Sequence, residues 1–184
     1  MDFKSQFQGL NLALNLAFFA LIAFALALGL WNFKKYGDFF QLALPALCVV
    51  LPLYQKDFEK LKQLIFAILA STLITHLCKL SIPYLVAQHG MGEIFSFAQR
   101  PIDMARFDGF PSGHTQGAFI AVAFGFVYFK MRWKVLFFCL ALMVGISRVY
   151  SEYHTILQVI CGALVGFFIS YLVIRFLQKR TISN

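Results

Sequence analysis

Acidic residues are scarce in this sequence, eight against sixteen Lys and Arg, and none of them falls inside an apolar run. Carboxylates at mid-membrane depth mark proton relays and cation pathways, so their absence argues against both. Charge of either sign is thin, at 13% of residues, while 60% are hydrophobic and 23 are Phe. A soluble domain carries roughly 25% charged and about 45–50% apolar residues, so the excess points to lipid rather than to a larger core. The four cysteines, Cys48, Cys78, Cys139 and Cys161, make no Cys-x-x-Cys pair. They read as small buried hydrophobes and not as a metal or redox site. No polar linker, low-complexity tract or fixed-period repeat divides the chain, so a single domain over 1–184 is expected. The net charge of +8 sits in short clusters between apolar runs, which suits a bilayer surface and not nucleic acid.

Six apolar segments are candidates for crossing: Leu12 to Trp31, Phe39 to Tyr54, Leu64 to Val86, Thr115 to Phe129, Val135 to Ser147 and Thr155 to Ile174. About 20 apolar residues span a bilayer. The second, fourth and fifth are therefore short and must borrow flanking residues, lie obliquely or be shielded by neighbours. The expected fold is all-α, a polytopic membrane protein with six transmembrane helices and both termini cytoplasmic. Trp31, Tyr36, Tyr54, Tyr84, Trp133, Tyr150 and Tyr153 fall near the segment ends, as an interfacial aromatic belt would. Placing both termini inside leaves ten Lys and Arg on the cytoplasmic side. Six remain outside: Lys34, Lys35, Lys79, Arg100, Arg106 and Arg148. Ala25-Leu26-Ala27 resembles a cleavage site, but the run before it is longer than a signal peptide needs, so a retained helix is expected.

In such a layout odd helices end, and even helices begin, on the outer face. Lys79, Arg100, His114, Arg148 and His154 then meet at one membrane surface although four regions of sequence supply them. Each has a plain reading alone. Lys79 can snorkel, Pro111-Ser112-Gly113-His114 can merely cap a helix, and Arg148 can anchor one to lipid. His76, one turn before Lys79, reads as a hydrogen-bonded interior histidine outside the site. Together the five suit phosphoryl transfer. Three cations match a phosphate dianion and its transition state, and arginine adds a two-toothed fork. Ser112-Gly113 at a helix start offers free N–H groups to an anion. Two histidines can divide attack on phosphorus from protonation of the leaving oxygen.

These residues resemble the motifs of the type-2 phosphatidic acid phosphatase superfamily: a Lys followed by Arg-Pro, then Pro-Ser-Gly-His, then Ser-Arg-x-x-x-x-x-His-x-x-x-Asp. Here they stand as Lys79 with Arg100-Pro101, Pro111 to His114, and Ser147-Arg148 through His154. The match covers Lys79 to Gln158. The resemblance implies metal-independent hydrolysis without a cofactor. It makes His154 the nucleophile, His114 the acid, and Lys79, Arg100, Ser112, Gly113 and Arg148 the phosphate-binding set. Two departures stand out. Twenty residues separate Lys79 from Arg100, a longer gap than the common pattern but one that small bacterial lipid A phosphatases share. Gln158 occupies the place of the Asp that would orient the nucleophilic ring. Gln158 is expected to hold that ring as a neutral partner, with substitution by Glu152, Asp103 or Asp108 as the alternative.

The implied substrate is a phosphorylated lipid in the bilayer at the periplasmic face of a bacterial inner membrane. Lipid A, at its 1 or 4′ phosphate, leads; undecaprenyl pyrophosphate and phosphatidylglycerophosphate follow. A different class, an inactive lipid-binding or transport protein on the same scaffold, is marked by the missing Asp. Oligomeric state is not legible, because lipid-facing and protein-facing apolar surfaces look alike.

Overall fold

A computed structural model describes the backbone over residues 3–183 and the side chains over 12–180. Its helices are α1 (Phe3–Trp31), α2 (Phe33–Gln55), α3 (Phe58–His89), α4 (Gly113–Tyr128), α5 (Met131–Tyr150), α6 (Ile156–Leu164) and α7 (Ser170–Ser183). A single π-turn, Val165–Ile169, joins α6 to α7 without a break in helical backbone. No strand occurs among the described residues.

The boundaries follow local chemistry. Asn32 caps α2 by accepting from the N–H of Lys35 at 3.0 Å, and Asp57 caps α3 by accepting from Lys60 at 3.0 Å. Lys56, in the left-handed region at φ 52, turns the chain between α2 and α3. The short second and fifth segments are lengthened by their flanks: α2 has 23 residues and α5 has 20. Among the described residues, five helices are consequently long and apolar enough to cross a membrane, with α6 and α7 acting as one. The fourth differs. At 16 residues α4 is short of a full crossing, and it is shielded instead. Ala118 through Gly125 are all buried, because α2, α3, α5 and the α6–α7 rod pack around it. Gly162 and Gly166 permit the closest approach, since a methyl group on either would collide with the carbonyl of Ser112 or Gln116.

Lipid-facing surfaces are correspondingly apolar. Leu16, Leu42, Leu69, Leu142 and Leu172 are exposed, one on each long helix. α1 lies outermost against α2, with Ala25 buried and the helix running unbroken through Leu26 and Ala27. Trp31, Tyr54, Tyr84 and Tyr150 are exposed near helix ends, as a belt requires. Tyr36 is not part of it. That residue is buried in the core, and its hydroxyl donates to the Leu140 carbonyl at 3.1 Å, a partner on α5 that its position at a segment end did not reveal. His76 is hydrogen-bonded as expected, to Thr72 on its own helix at 3.0 Å, but its ring is exposed on α3 and not interior.

Candidate active site

His154 lies just before α6, is 3% exposed, and places its Nδ1 3.0 Å from Gln158 Oε1. Gln158 is wholly buried and fully engaged. Its Nε2 donates to the carbonyls of Phe97 at 2.9 Å and Gln99 at 2.7 Å, while its Oε1 also accepts from the N–H of Thr155 at 3.2 Å. Carbonyl oxygens only accept, so the atom facing them is the NH₂ group and the atom facing His154 is the oxygen. The imidazole must then carry its hydrogen on Nδ1. That leaves the Nε2 lone pair free. Burial, with Lys79, Arg100 and His114 adding to it against the Gln158 bond, holds the ring down at about 4. His154 is therefore neutral at pH 7, the form that can attack phosphorus.

Arg148, at the end of α5, is 2% exposed and held on three sides. Its Nε donates to Ser147 Oγ at 3.2 Å, its Nη1 to Asp38 Oδ1 at 2.7 Å, and its Nη2 to the Lys34 carbonyl. The same Asp38 oxygen lies 3.1 Å from His114 Nε2. The first turns of α2 thus make one wall of the site, and Gly37 lets that wall come close. A methyl group there would strike Ser147 Oγ and the guanidinium. Gly37→Ala should displace Arg148, cost about 1–3 kcal/mol of stability as an overpacked position, and lower phosphate release about tenfold or more. Unchanged melting and turnover would contradict that role.

The loop between α3 and α4 brings in the remaining cations. Arg100 grips Asp108 with Nε at 2.7 Å and Nη2 at 3.2 Å, and Arg106 takes the same carboxylate at 2.6 Å. Burial alone would raise the Asp108 carboxyl, but the bonds and charges of Arg100 and Arg106 outweigh it and hold it far below the usual carboxylate range. Lys79 Nζ donates to the Asp108 carbonyl at 2.5 Å, and a Cβ on Gly113 would lie 3.9 Å from Lys79 Cε, above the head of α4. Ser112 caps that helix and is fully buried, accepting from Thr115 N–H at 3.5 Å and Thr115 Oγ1 at 3.1 Å. The N–H groups of Gly113 and His114 have no hydrogen-bond partner among the described residues. Lys79, Arg100, Arg106 and Arg148 against Asp38 and Asp108 give 4 − 2 = +2, the charge that neutralises a phosphate dianion. No group of three or more metal-ligating side chains occurs among the described residues.

Residues 60–182 match the PAP2 superfamily. The chain belongs to that superfamily. It is 32% identical to the lipid A 4′-phosphatase of Helicobacter pylori, over 94% of this chain and 85% of the relative. It is 33% identical to a lipid A 1-phosphatase of the same species, over 65% of this chain and 60% of the relative. No solved structure matches it.

In this PAP2 chain every motif residue reaches one end of the bundle, and the partner of the His154 ring is Gln158. None of the candidate substitute carboxylates takes that place. Asp108 is spent on Arg100 and Arg106, Asp103 accepts from the N–H of Ala105 at 3.2 Å, and the hydrogen bond described for the His154 ring goes to Gln158 and not to Glu152. What motif reading missed is Asp38 with the adjoining Lys34 carbonyl and Gly37. In sequence Asp38 is one of eight acids outside the apolar runs, just before the second segment, and it joins Arg148 across 110 positions of chain.

Proposed function

We propose that this protein removes a phosphate from lipid A at the periplasmic face of a bacterial inner membrane, through a phosphohistidine on His154. The class, a lipid phosphatase, follows from the family together with its two relatives. The observation that carries the mechanism is the tautomer of His154, with Nδ1–H on Gln158 and Nε2 free. Nε2 bonds to phosphorus as the bond to the leaving oxygen breaks, and His114 gives that oxygen a proton. Water then attacks phosphorus, the N–P bond breaks, and His114 takes the proton back. Lys79, Arg100, Arg148 and the N–H groups of Gly113 and His114 hold the phosphoryl oxygens, with Ser112 fixing the turn that presents them. Cationic side chains supply the electrophilic help, so hydrolysis needs no metal.

Six crossings with both termini inside complete the reading, α4 being a short crossing shielded by its neighbours. The Lys and Arg distribution supports that orientation. The 4′ phosphate is favoured over the 1 phosphate, because the likeness to the 4′ enzyme runs through 94% of the chain, the other through 65%. Purified protein with bis-phosphorylated lipid A should release phosphate from the 4′ position, in EDTA as well as without it. Release from undecaprenyl pyrophosphate or phosphatidylglycerophosphate alone would reassign the substrate. Release from none of the three would overturn the enzyme reading in favour of a lipid-binding protein.

A further inference from the structure

The two histidines of the site have partners of different charge. Behind His154 stands the neutral amide of Gln158, at 3.0 Å; behind His114 stands the carboxylate of Asp38, at 3.1 Å. We propose that Asp38 is a positioning residue for the acid of the reaction, so that the carboxylate which the family pattern sets behind the nucleophile serves the acid here. This rests on the phosphatase reading above.

The geometry is specific. Asp38 Oδ1 accepts from Arg148 Nη1 at 2.7 Å, and toward this acceptor oxygen His114 must donate from Nε2. His114 then has only Nδ1 to turn toward the leaving oxygen. In the first step the Nδ1 proton passes to that oxygen as the P–O bond breaks. Imidazolium becomes neutral imidazole, still anchored through Nε2–H. In the second step Nδ1 takes a proton from the attacking water as the N–P bond breaks, and the acid is restored. A carboxylate on the far nitrogen favours the charged ring and fixes its tautomer, as in a Ser-His-Asp triad.

The surrounding charges make such help necessary. Arg148 on α5 and Arg100 in the loop face His114, Lys79 on α3 lies over Gly113 beside it, and His154 is across the site. Burial first and Arg148 second push His114 down to about 4 even with the anion of Asp38 opposing them, so the ring gains its Nδ1 proton only as the phosphate binds. A bound phosphate dianion adds to Asp38 in the same direction. Separating the two histidines by the charge of their partners is how paired groups divide acid and nucleophile roles.

A general acid matters only when the leaving group needs a proton. Octyl phosphate expels a strongly basic alkoxide, whereas 4-nitrophenyl phosphate expels a stable phenolate. Asp38→Asn keeps shape and removes charge. It should lower kcat/KM for octyl phosphate about 100-fold, within the range of acid catalysis, and change 4-nitrophenyl phosphate less than about fivefold. In a His114→Gln background the same change should add no further loss on octyl phosphate, because Asp38 acts through His114. Asp38→Glu, which keeps the charge, should recover part of the octyl phosphate rate. Equal losses on both substrates, or a further loss in the double variant, would show that Asp38 merely supports Arg148 and overturn the proposal. An active wild type unaffected by Asp38→Asn would overturn it as well. A wild type inert on both substrates would overturn the phosphatase reading, and this proposal with it.

Discussion

His154→Ala should abolish phosphate release, by at least about 10⁴-fold, as loss of a nucleophile from an interlocked site does. The size of the effect follows from position. His154 has its Nδ1–H held by the oxygen of a fully bonded Gln158, which leaves Nε2 unprotonated for attack. The other imidazole of the site, His114, is held by the Asp38 carboxylate through Nε2, which suits it to the acid role instead. The variant should still fold, because the ring makes one side-chain hydrogen bond and Gln158 keeps its bonds to Phe97, Gln99 and Thr155. It should also fail to retain radiolabelled phosphate after acid-free quenching, whereas wild type does. Residual turnover within tenfold of wild type would remove the phosphohistidine from the mechanism.

Gln158→Asp, which restores the residue of the family pattern, should lower activity on the order of 100-fold or more, as misoriented catalytic imidazoles do. The physical reason is that Gln158 has two jobs. Its oxygen holds His154, and its NH₂ ties down the loop at Phe97 and Gln99. Aspartate is one methylene shorter and cannot reach both. Its second oxygen would also face carbonyls, leaving them unpaired at about 1–3 kcal/mol each. Gln158→Glu has the length but sets a buried carboxylate against the same two carbonyls, so it should also melt earlier and turn over more slowly. Gln158→Ala should lose both functions. Phosphate release and melting in detergent check all three; an Asp variant as active as the parent would sink the idea.

Much of this was legible in sequence because membrane helices announce themselves and because the motif residues sit at helix ends. Pro111 to His114 marks the start of α4, and the spacing of Arg148 from His154 spans the turn between α5 and α6. The His154–Gln158 contact is likewise local, four positions apart at the first turn of a helix. Long-range pairs left no such mark. Asp38 with Arg148, and Tyr36 with Leu140, are set by how α2 packs on α5, which no periodicity in either helix encodes. The lengths of α2 and α5 were underestimated because Lys34, Lys35 and Arg132 look like segment ends, although each is helical at a membrane border. Asp108 was equally hard to place. Its partners depend on how the loop folds back on itself, through Arg100 N–H to the Arg106 carbonyl at 3.0 Å.

Gly109 ties these points together. A methyl group there would lie 2.8 Å from Gln158 Nε2 and 2.8 Å from the Ala98 carbonyl, so the loop and the amide are in direct contact. The lengthened stretch between Lys79 and Arg100 supplies the very carbonyls that the amide needs, and the amide is what keeps that stretch against the nucleophile. The two departures from the family pattern are therefore halves of one clasp. Moving those carbonyls would strand the amide, and an acid in its place would release them, so a change in either half calls for a matching change in the other.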